Sequence, residues 1–287
     1  MYQYCYNEAC SKDFLDLEYD IIFAKKAGFD LIEIRFDCLE NYLKDNSLED
    51  LKQLLEDTGL KCHALNALYI YPEFLSDKDD EGKHSAVMER LHLIETLYKE
   101  LGIDKCIVVA PLLTDECLCK NYSKEEVQEA CVRILKYLCT HYPQIQWIFE
   151  PVGLSRSLVQ DADYAYDIIK EVAAINLGLV LDSYNLYLKD RTDNYDFSRI
   201  PASKIMAIHM MNGLKVPASE KIVDQRYRRF CDDGDAIDLS KFMQALRAIH
   251  YQGMLSTEVF NSEYCQQYEH EHLLEKAYLS LKFASNL

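Results

Sequence analysis

The sequence of 287 residues contains no paired-cysteine motif, although it has 11 cysteines. An odd number of cysteines without C-x-x-C spacing fits neither the disulfide framework of a short secreted protein nor a four-cysteine zinc site. The first residues also lack the basic start and apolar segment of a secretory signal peptide. We therefore expect reduced thiols and a cytoplasmic protein.

Long apolar runs and positive charge are scarce as well. No stretch approaches the length of a bilayer span, so the sequence predicts no membrane segment. The formal net charge of −17 repels phosphate backbones, and the one basic cluster is the short group Arg226, Arg228 and Arg229. We expect a small-molecule substrate rather than a nucleic acid. The sequence is compatible with a monomer and with a homodimer.

The chain has no linker rich in proline, glycine or serine that would divide it into domains. Short apolar runs alternate with longer amphipathic stretches, a pattern typical of repeated βα units around a parallel sheet. Eight such units of about 36 residues each predict a single-domain (β/α)₈ TIM barrel over residues 1–287. The predicted strands lie near residues 2–7, 30–36, 61–67, 105–111, 146–151, 177–182, 205–210 and 254–260, and the predicted helices near 14–27, 48–58, 84–101, 123–140, 160–173, 196–202, 238–249 and 267–285.

Four of these apolar runs end in a side chain that can bind a metal. Because the carboxyl ends of the strands form the functional face of such a barrel, the four side chains should converge from adjacent strands. One imidazole and three carboxylates suit a hard or borderline divalent ion such as Mn²⁺, Zn²⁺, Mg²⁺ or Co²⁺. Taken singly, a strand-end aspartate is more often a helix cap. The predicted ligands are Glu150, Asp182, His209 and Glu258.

Two of the four, Glu150 and Glu258, also suggest acid/base catalysis. Carboxylates on opposite sides of a substrate can remove a proton from one carbon and return it there or elsewhere. Abstraction next to a ketone becomes feasible when a cation stabilises the enediolate oxygen. The competing interpretation is that both glutamates serve only as ligands.

Further polar residues are expected at the same carboxyl end of the barrel. Glu33 and Arg35 alternate on the second strand, so they share one face and form either an inward ion pair or a substrate clamp. Bidentate arginine pairing serves either purpose. Asn66, on the third strand, is the other candidate for substrate binding.

Several short motifs together carry a family resemblance: Asn7-Glu8-Ala9, Asp30 to Arg35, Tyr42 to Asp45 with Ser47-Leu48, Ala64 to Leu68, and Gly178 to Ser183. They resemble the inosose (2-keto-myo-inositol) isomerases of the xylose-isomerase-like TIM-barrel superfamily. The resemblance implies a metal-dependent isomerase or epimerase of a keto-cyclitol or ketose, acting by proton transfer through a metal-stabilised enediolate. It also implies that the four strand-end residues hold the metal and that the two glutamates act as the acid/base pair.

The chain departs from the family pattern at positions to which the resemblance assigns contacts with the substrate. Asn185 replaces a histidine, and Asn212 replaces the usual aspartate. Of the arginine-glycine loop, Arg229 and Ile237-Asp238 remain. An asparagine still hydrogen-bonds a hydroxyl group but does not exchange a proton near neutral pH. These changes leave two alternatives open: an inosose-type dehydratase, and a catalytically weak barrel that binds a metal and a polyol.

Overall fold

Eight parallel strands close into a barrel in the computed structural model, which describes residues 2–70, 81–113, 121–217 and 225–287, without the side chains of 81–86. The barrel strands are β1 Gln3–Asn7, β2 Leu31–Arg35, β3 Lys61–Tyr69, β4 Lys105–Val109, β5 Gln146–Glu150, β6 Leu177–Asp182, β7 Ile205–His209 and β10 Met254–Thr257. Around the barrel they follow the order β1-β10-β7-β6-β5-β4-β3-β2. The predicted (β/α)₈ barrel is confirmed.

Side chains inside the barrel lie in layers because alternate residues of a strand face the same side. One layer is apolar and takes a buried residue from every strand: Cys5, Leu31, Ala64, Ile107, Ile148, Val180, Ala207 and Met254. Two residues further along each strand, the next inward layer is mostly polar, and it contains Asn7, Glu33, Asn66, Val109, Glu150, Asp182, His209 and Ser256. The apolar layer therefore supports a polar layer at the carboxyl ends of the strands.

Helices cover the outside of the barrel and bury the opposite faces of the strands, including Trp147 and Phe149. Two helices begin at capping boxes, which Ser47 and Ser123 form with Asp50 and Glu126. The helices are α1 Leu17–Ala27, α2 Phe36–Tyr42, α3 Leu48–Thr58, α4 Glu81–Leu101, α5 Lys124–His141, α6 Ala162–Val172, α7 Ser183–Asp190, α8 Leu239–Ala248, α9 Ser262–Gln267 and α10 His270–Ser285.

The helix predicted near residues 196–202 is wrong. Helix α7 begins directly after β6, and only the short 3₁₀ turn Ala202–Lys204 precedes β7. Aspartate side chains explain the difference, since Asp190 and Asp196 accept hydrogen bonds from backbone groups two residues ahead. Such local bonds stabilise turns at the expense of a helix.

Two further features bear on the expectations from composition. All nine cysteines in the described part of the chain are free, and seven of them are buried. In the same ranges, none of the helices combines the length and the apolar character needed to cross a bilayer.

Candidate metal centre

Four buried side chains converge at the carboxyl end of the barrel. Glu150, Asp182 and His209 are the last residues of β5, β6 and β7, and Glu258 follows β10 directly. These strands are neighbours in the barrel, so one ligand atom from each residue lies within 4.8 Å of the others. The four residues predicted from the sequence are thus brought together.

Asp182 joins the cluster to helix α7. It is the N-cap of the helix, and its Oδ1 accepts the backbone N–H of Asn185 at 2.7 Å. The cap fixes Asn185 in the first turn, from which its Nδ2 donates to Oε1 of Glu150 at 3.3 Å. A strand-end aspartate acts here both as a helix cap and as a member of the cluster.

His209 presents its two ring nitrogens to different partners. Nδ1 faces the cluster, 3.0 Å from Oε2 of Glu258 and 3.9 Å from Oε1 of Glu150. Nε2 faces away from it and lies 3.2 Å from Oε2 of Glu33. The ring is fully buried, and Nδ1 makes no hydrogen bond of acceptable geometry within the described part of the structure.

Two side-chain amides hold the Glu258 oxygen that does not face His209. Nδ2 of Asn66, on β3, donates to Oε1 of Glu258 at 2.8 Å, and Nδ2 of Asn7 lies 3.4 Å from the same oxygen. With one oxygen fixed by these donors, the other is directed towards His209 and the centre of the cluster. Asn66 therefore contacts the acid/base candidate itself.

Sequence reasoning missed one residue of this site, Arg228. Its Nη1 donates to Oδ2 of Asp182 at 2.8 Å, and its Nη2 donates to Oδ1 of Asn185 at 3.1 Å. A short antiparallel pair of strands, β8 Asn212–Gly213 and β9 Arg228–Arg229, folds the loop after β7 back over the cluster. Arg228 is almost completely buried there.

The structure does not bring Arg229 or the Asn212 side chain to the cluster. Adjacent residues of a strand face opposite sides, so Arg229 points away from Asp182 and pairs with Glu263 at 3.1 Å. The amide of Asn212 bonds to backbone groups of Gly213, Gly234 and Ile237. Asn212 thus fixes the loop that carries Arg228. The substrate contacts predicted for Asn212 and Arg229 stay predictions.

Arg35 lies at the edge of a cavity beside the cluster. The cavity has a volume of about 290 Å³, and its lining includes Arg35, Asn66, Tyr69, Arg90 and Phe260. Because Asn66 both lines this cavity and bonds to Glu258, the cavity adjoins the cluster. The guanidinium of Arg35 pairs with Asp37, not with Glu33, and lies over the ring of Phe260.

The pKa values in the cluster diverge strongly. Burial and the negative charge of Glu258 raise the pKa of Glu150 well above its usual value. Burial opposes ionisation of Glu258 too, but its interactions with His209 bring the pKa of Glu258 to about 2. Burial alone would lower the pKa of His209, yet the charges of Glu258 and Glu33 raise it well above its usual value. Without a bound cation, the cluster therefore retains protons.

The donor set fits a divalent cation. Three carboxylates converge in a buried space, where their mutual repulsion is relieved by a cation. The unsatisfied Nδ1 of His209 faces the same space and would be a suitable nitrogen ligand for a borderline metal such as zinc. The cluster is suitable for one divalent ion, in agreement with the prediction from the sequence.

We expect the affinity for the cation to fall as the pH falls. The raised pKa values of His209 and Glu150 mean that the metal-free protein holds protons that must leave on binding. Each released proton changes the dissociation constant about tenfold per pH unit. Calorimetric Zn²⁺ titrations between about pH 6 and pH 8 measure the slope of the logarithm of the dissociation constant against pH. The exposed His141 provides a control, since H141Q should leave the slope unchanged. An affinity independent of pH would contradict the expectation.

Comparisons with known proteins agree with this site. The family model described as the xylose isomerase-like TIM barrel matches residues 21–282. The chain belongs to this family. Inosose isomerase from Halalkalibacterium halodurans is 31% identical over 265 residues, which cover 91% of this chain and 89% of that protein. The predicted resemblance and the predicted metal-dependent isomerase are confirmed.

Two further relatives bear on the chemistry. The crystal structure of the IOLI protein with a bound zinc atom has a TM-score of 0.86 and 29% identity, and the match covers 99% of this chain and 98% of that one. The 3-dehydroshikimate dehydratase of Pseudomonas aeruginosa is 28% identical over 243 residues, which are 82% of this chain but 34% of that protein. The dehydratase is thus a more distant relative than the isomerase.

Proposed function

We propose that this chain is an inosose isomerase, which shifts the carbonyl group of a keto-cyclitol to a neighbouring carbon. The observation that carries the proposal is the convergence of two buried glutamates with Asp182 and His209 in one site. The similarity to inosose isomerase over nine-tenths of the chain supports the choice of substrate. Glu150, Asp182, His209 and Glu258 are the proposed metal ligands.

Glu150 and Glu258 are the proposed acid/base pair. When bound, the cation would hold substrate oxygens and stabilise the negative charge that develops on them. Interactions with His209 hold the pKa of Glu258 at about 2 and keep this carboxylate ionised, so we assign it the removal of a proton from the carbon next to the carbonyl group. Glu150 belongs to the same cluster, and we assign it the return of a proton to the neighbouring carbon.

The cavity beside the cluster is the proposed position of the cyclitol ring. Arg35 and Asn66 are placed to donate hydrogen bonds to ring hydroxyl groups, and Phe260 offers an apolar face. Asn185 and Arg228 contact Glu150 and Asp182, so we assign them the orientation of these carboxylates. Asn212 and Arg229 remain proposed substrate contacts, in addition to their bonds within the loop and to Glu263.

Isotope exchange tests the proposal directly. The protein loaded with Zn²⁺ or Mn²⁺ is incubated with inosose in deuterated water, and the products are followed by proton NMR. We expect deuterium at the carbon next to the carbonyl group together with an isomeric inosose. The variant E258Q serves as the control and should give neither. Absence of exchange in the wild-type protein, with inosose and with simple ketoses, would exclude this reaction.

A dehydratase is the second candidate, because the match to 3-dehydroshikimate dehydratase covers four-fifths of this chain. Dehydration begins with the same proton abstraction but ends with loss of a hydroxyl group. It would therefore yield a product that absorbs in the ultraviolet as an enone or a diketone. Such a product in place of an isomer would favour the dehydratase over the isomerase.

We also propose that the enzyme works in the cytoplasm on a small molecule without a nucleic-acid or membrane partner. The free, largely buried cysteines and the net charge of −17 support this setting. Size-exclusion chromatography with light scattering would distinguish the monomer from the homodimer.

A further inference from the structure

We propose that Glu33 is a positioning residue that fixes the proton of His209 on Nε2 and thereby frees Nδ1 to bind the cation. The two side chains come from strands that are not neighbours, since β1 and β10 lie between β2 and β7. Both belong to the inward polar layer and both are fully buried. Oε2 and Oε1 of Glu33 lie 3.2 Å and 3.4 Å from Nε2 of His209.

Glu33 is itself held as a hydrogen-bond acceptor. Oγ of Ser256 donates to its Oε2 at 2.6 Å, and Nδ2 of Asn7 donates to the same oxygen at 2.8 Å. Asn7 is the neighbour of Glu33 in the β1–β2 register, and Ser256 is the neighbour of His209 in the β10–β7 register. The barrel therefore surrounds the carboxylate of Glu33 with two hydrogen-bond donors and the imidazole of His209.

This arrangement selects one form of the ring. A neutral imidazole carries one N–H donor and one lone pair, and the ionised Glu33 accepts only from an N–H group. With the proton on Nε2, the lone pair of Nδ1 points towards Glu150 and Glu258. Carboxylates that accept from the second nitrogen of a metal-bound histidine fix its tautomer and make it a stronger ligand. The inference rests on the proposed role of His209 as a metal ligand and not on the choice of substrate.

The variant E33Q removes this acceptor without changing its size. Its amide can donate to Nε2 and so favour a proton on Nδ1, where the cation should bind. We expect the Zn²⁺ dissociation constant to rise by about 10–100-fold, as for other partners of metal-bound histidines. The measurement is competition with a chromophoric chelator, in the absence of any sugar.

A matched control separates this effect from the replacement of any buried glutamate by glutamine. Glu8 is equally buried and bonds to the backbone N–H of Arg35 at 2.7 Å. None of the described contacts joins it to His209, so E8Q should bind Zn²⁺ within about threefold of wild type. Unchanged affinity in E33Q, or equal losses in E33Q and E8Q, would overturn the proposal.

Nitrogen NMR of the Zn²⁺-loaded protein gives a second readout. We expect the wild-type His209 to show a protonated Nε2, and E33Q to lose this signature. If E33Q fails to fold, the Zn²⁺ affinity of S256A tests the proposal instead. This variant removes one hydrogen-bond donor to Glu33 and leaves the carboxylate in place. A several-fold loss of Zn²⁺ affinity in folded S256A supports the proposal, and unchanged affinity overturns it. Because these measurements need no substrate, they stand even if inosose proves to be the wrong ligand.

Discussion

The variant E258Q is expected to lose both tight cation binding and isomerase activity. Oε1 of Glu258 faces the amide donors of Asn66 and Asn7, so a glutamine will direct its oxygen to them. Its NH₂ group then faces Nδ1 of His209, in the place where the wild-type oxygen lies 3.0 Å away. This group donates to Nδ1 and occupies the lone pair that the cation needs.

The size of the effect follows from the two roles of Glu258. Loss of a general acid or base alone lowers the rate by about 10²–10⁴-fold, and loss of a ligand weakens cation binding in addition. Chelator competition measures the affinity, and NMR with inosose measures the turnover. E263Q is the control, because Glu263 lies five residues away and is exposed where it pairs with Arg229. Retention of both properties by E258Q would remove Glu258 from the site.

The barrel and its four strand-end residues could be predicted because they depend on local periodicity. Inward residues recur every second position, so a polar side chain two residues after Ile148, Val180 or Ala207 enters the same interior. A closed parallel barrel then brings the strand ends together without any further information. Glu33 occupies the equivalent layer of β2. Its contact with His209, however, spans two intervening strands of the barrel, and the spacing of residues in the sequence does not predict such a contact.

The loop after β7 follows no such period, and the sequence pointed to Arg229 for substrate binding without showing that Arg228 contacts Asp182. Arg228 and Arg229 face opposite sides of a two-residue strand, so a shift of one position exchanges the buried residue for the exposed one. The register is set by the pairing of this strand with Asn212 and Gly213, a contact between distant segments. The predicted position of the helix after β6 was wrong for a related reason. The sequence marked a strand-end aspartate only as a general cap candidate, and the bond from Asn185 to Asp182 places the helix directly after β6.

The variant R228M is expected to destabilise the metal-free protein by about 3–5 kcal/mol, because it leaves the buried carboxylate of Asp182 without its partner. Methionine retains most of the side-chain volume, so the loss reflects charge more than packing. Urea unfolding in the presence of a chelator measures it. R229M is the matched control, since its partner Glu263 is about half exposed and such pairs contribute about 0–1 kcal/mol.

A bound cation should reverse much of the loss in R228M. In the wild-type protein, Arg228 and the cation both neutralise Asp182, so the cation relieves less repulsion than it does when the guanidinium is absent. Ligands that bind only the folded state stabilise it according to their concentration and affinity. We therefore expect Zn²⁺ to raise the unfolding midpoint of R228M by more than that of wild type or R229M. Equal destabilisation of the two arginine variants would show that the Arg228–Asp182 contact is not needed to neutralise the site.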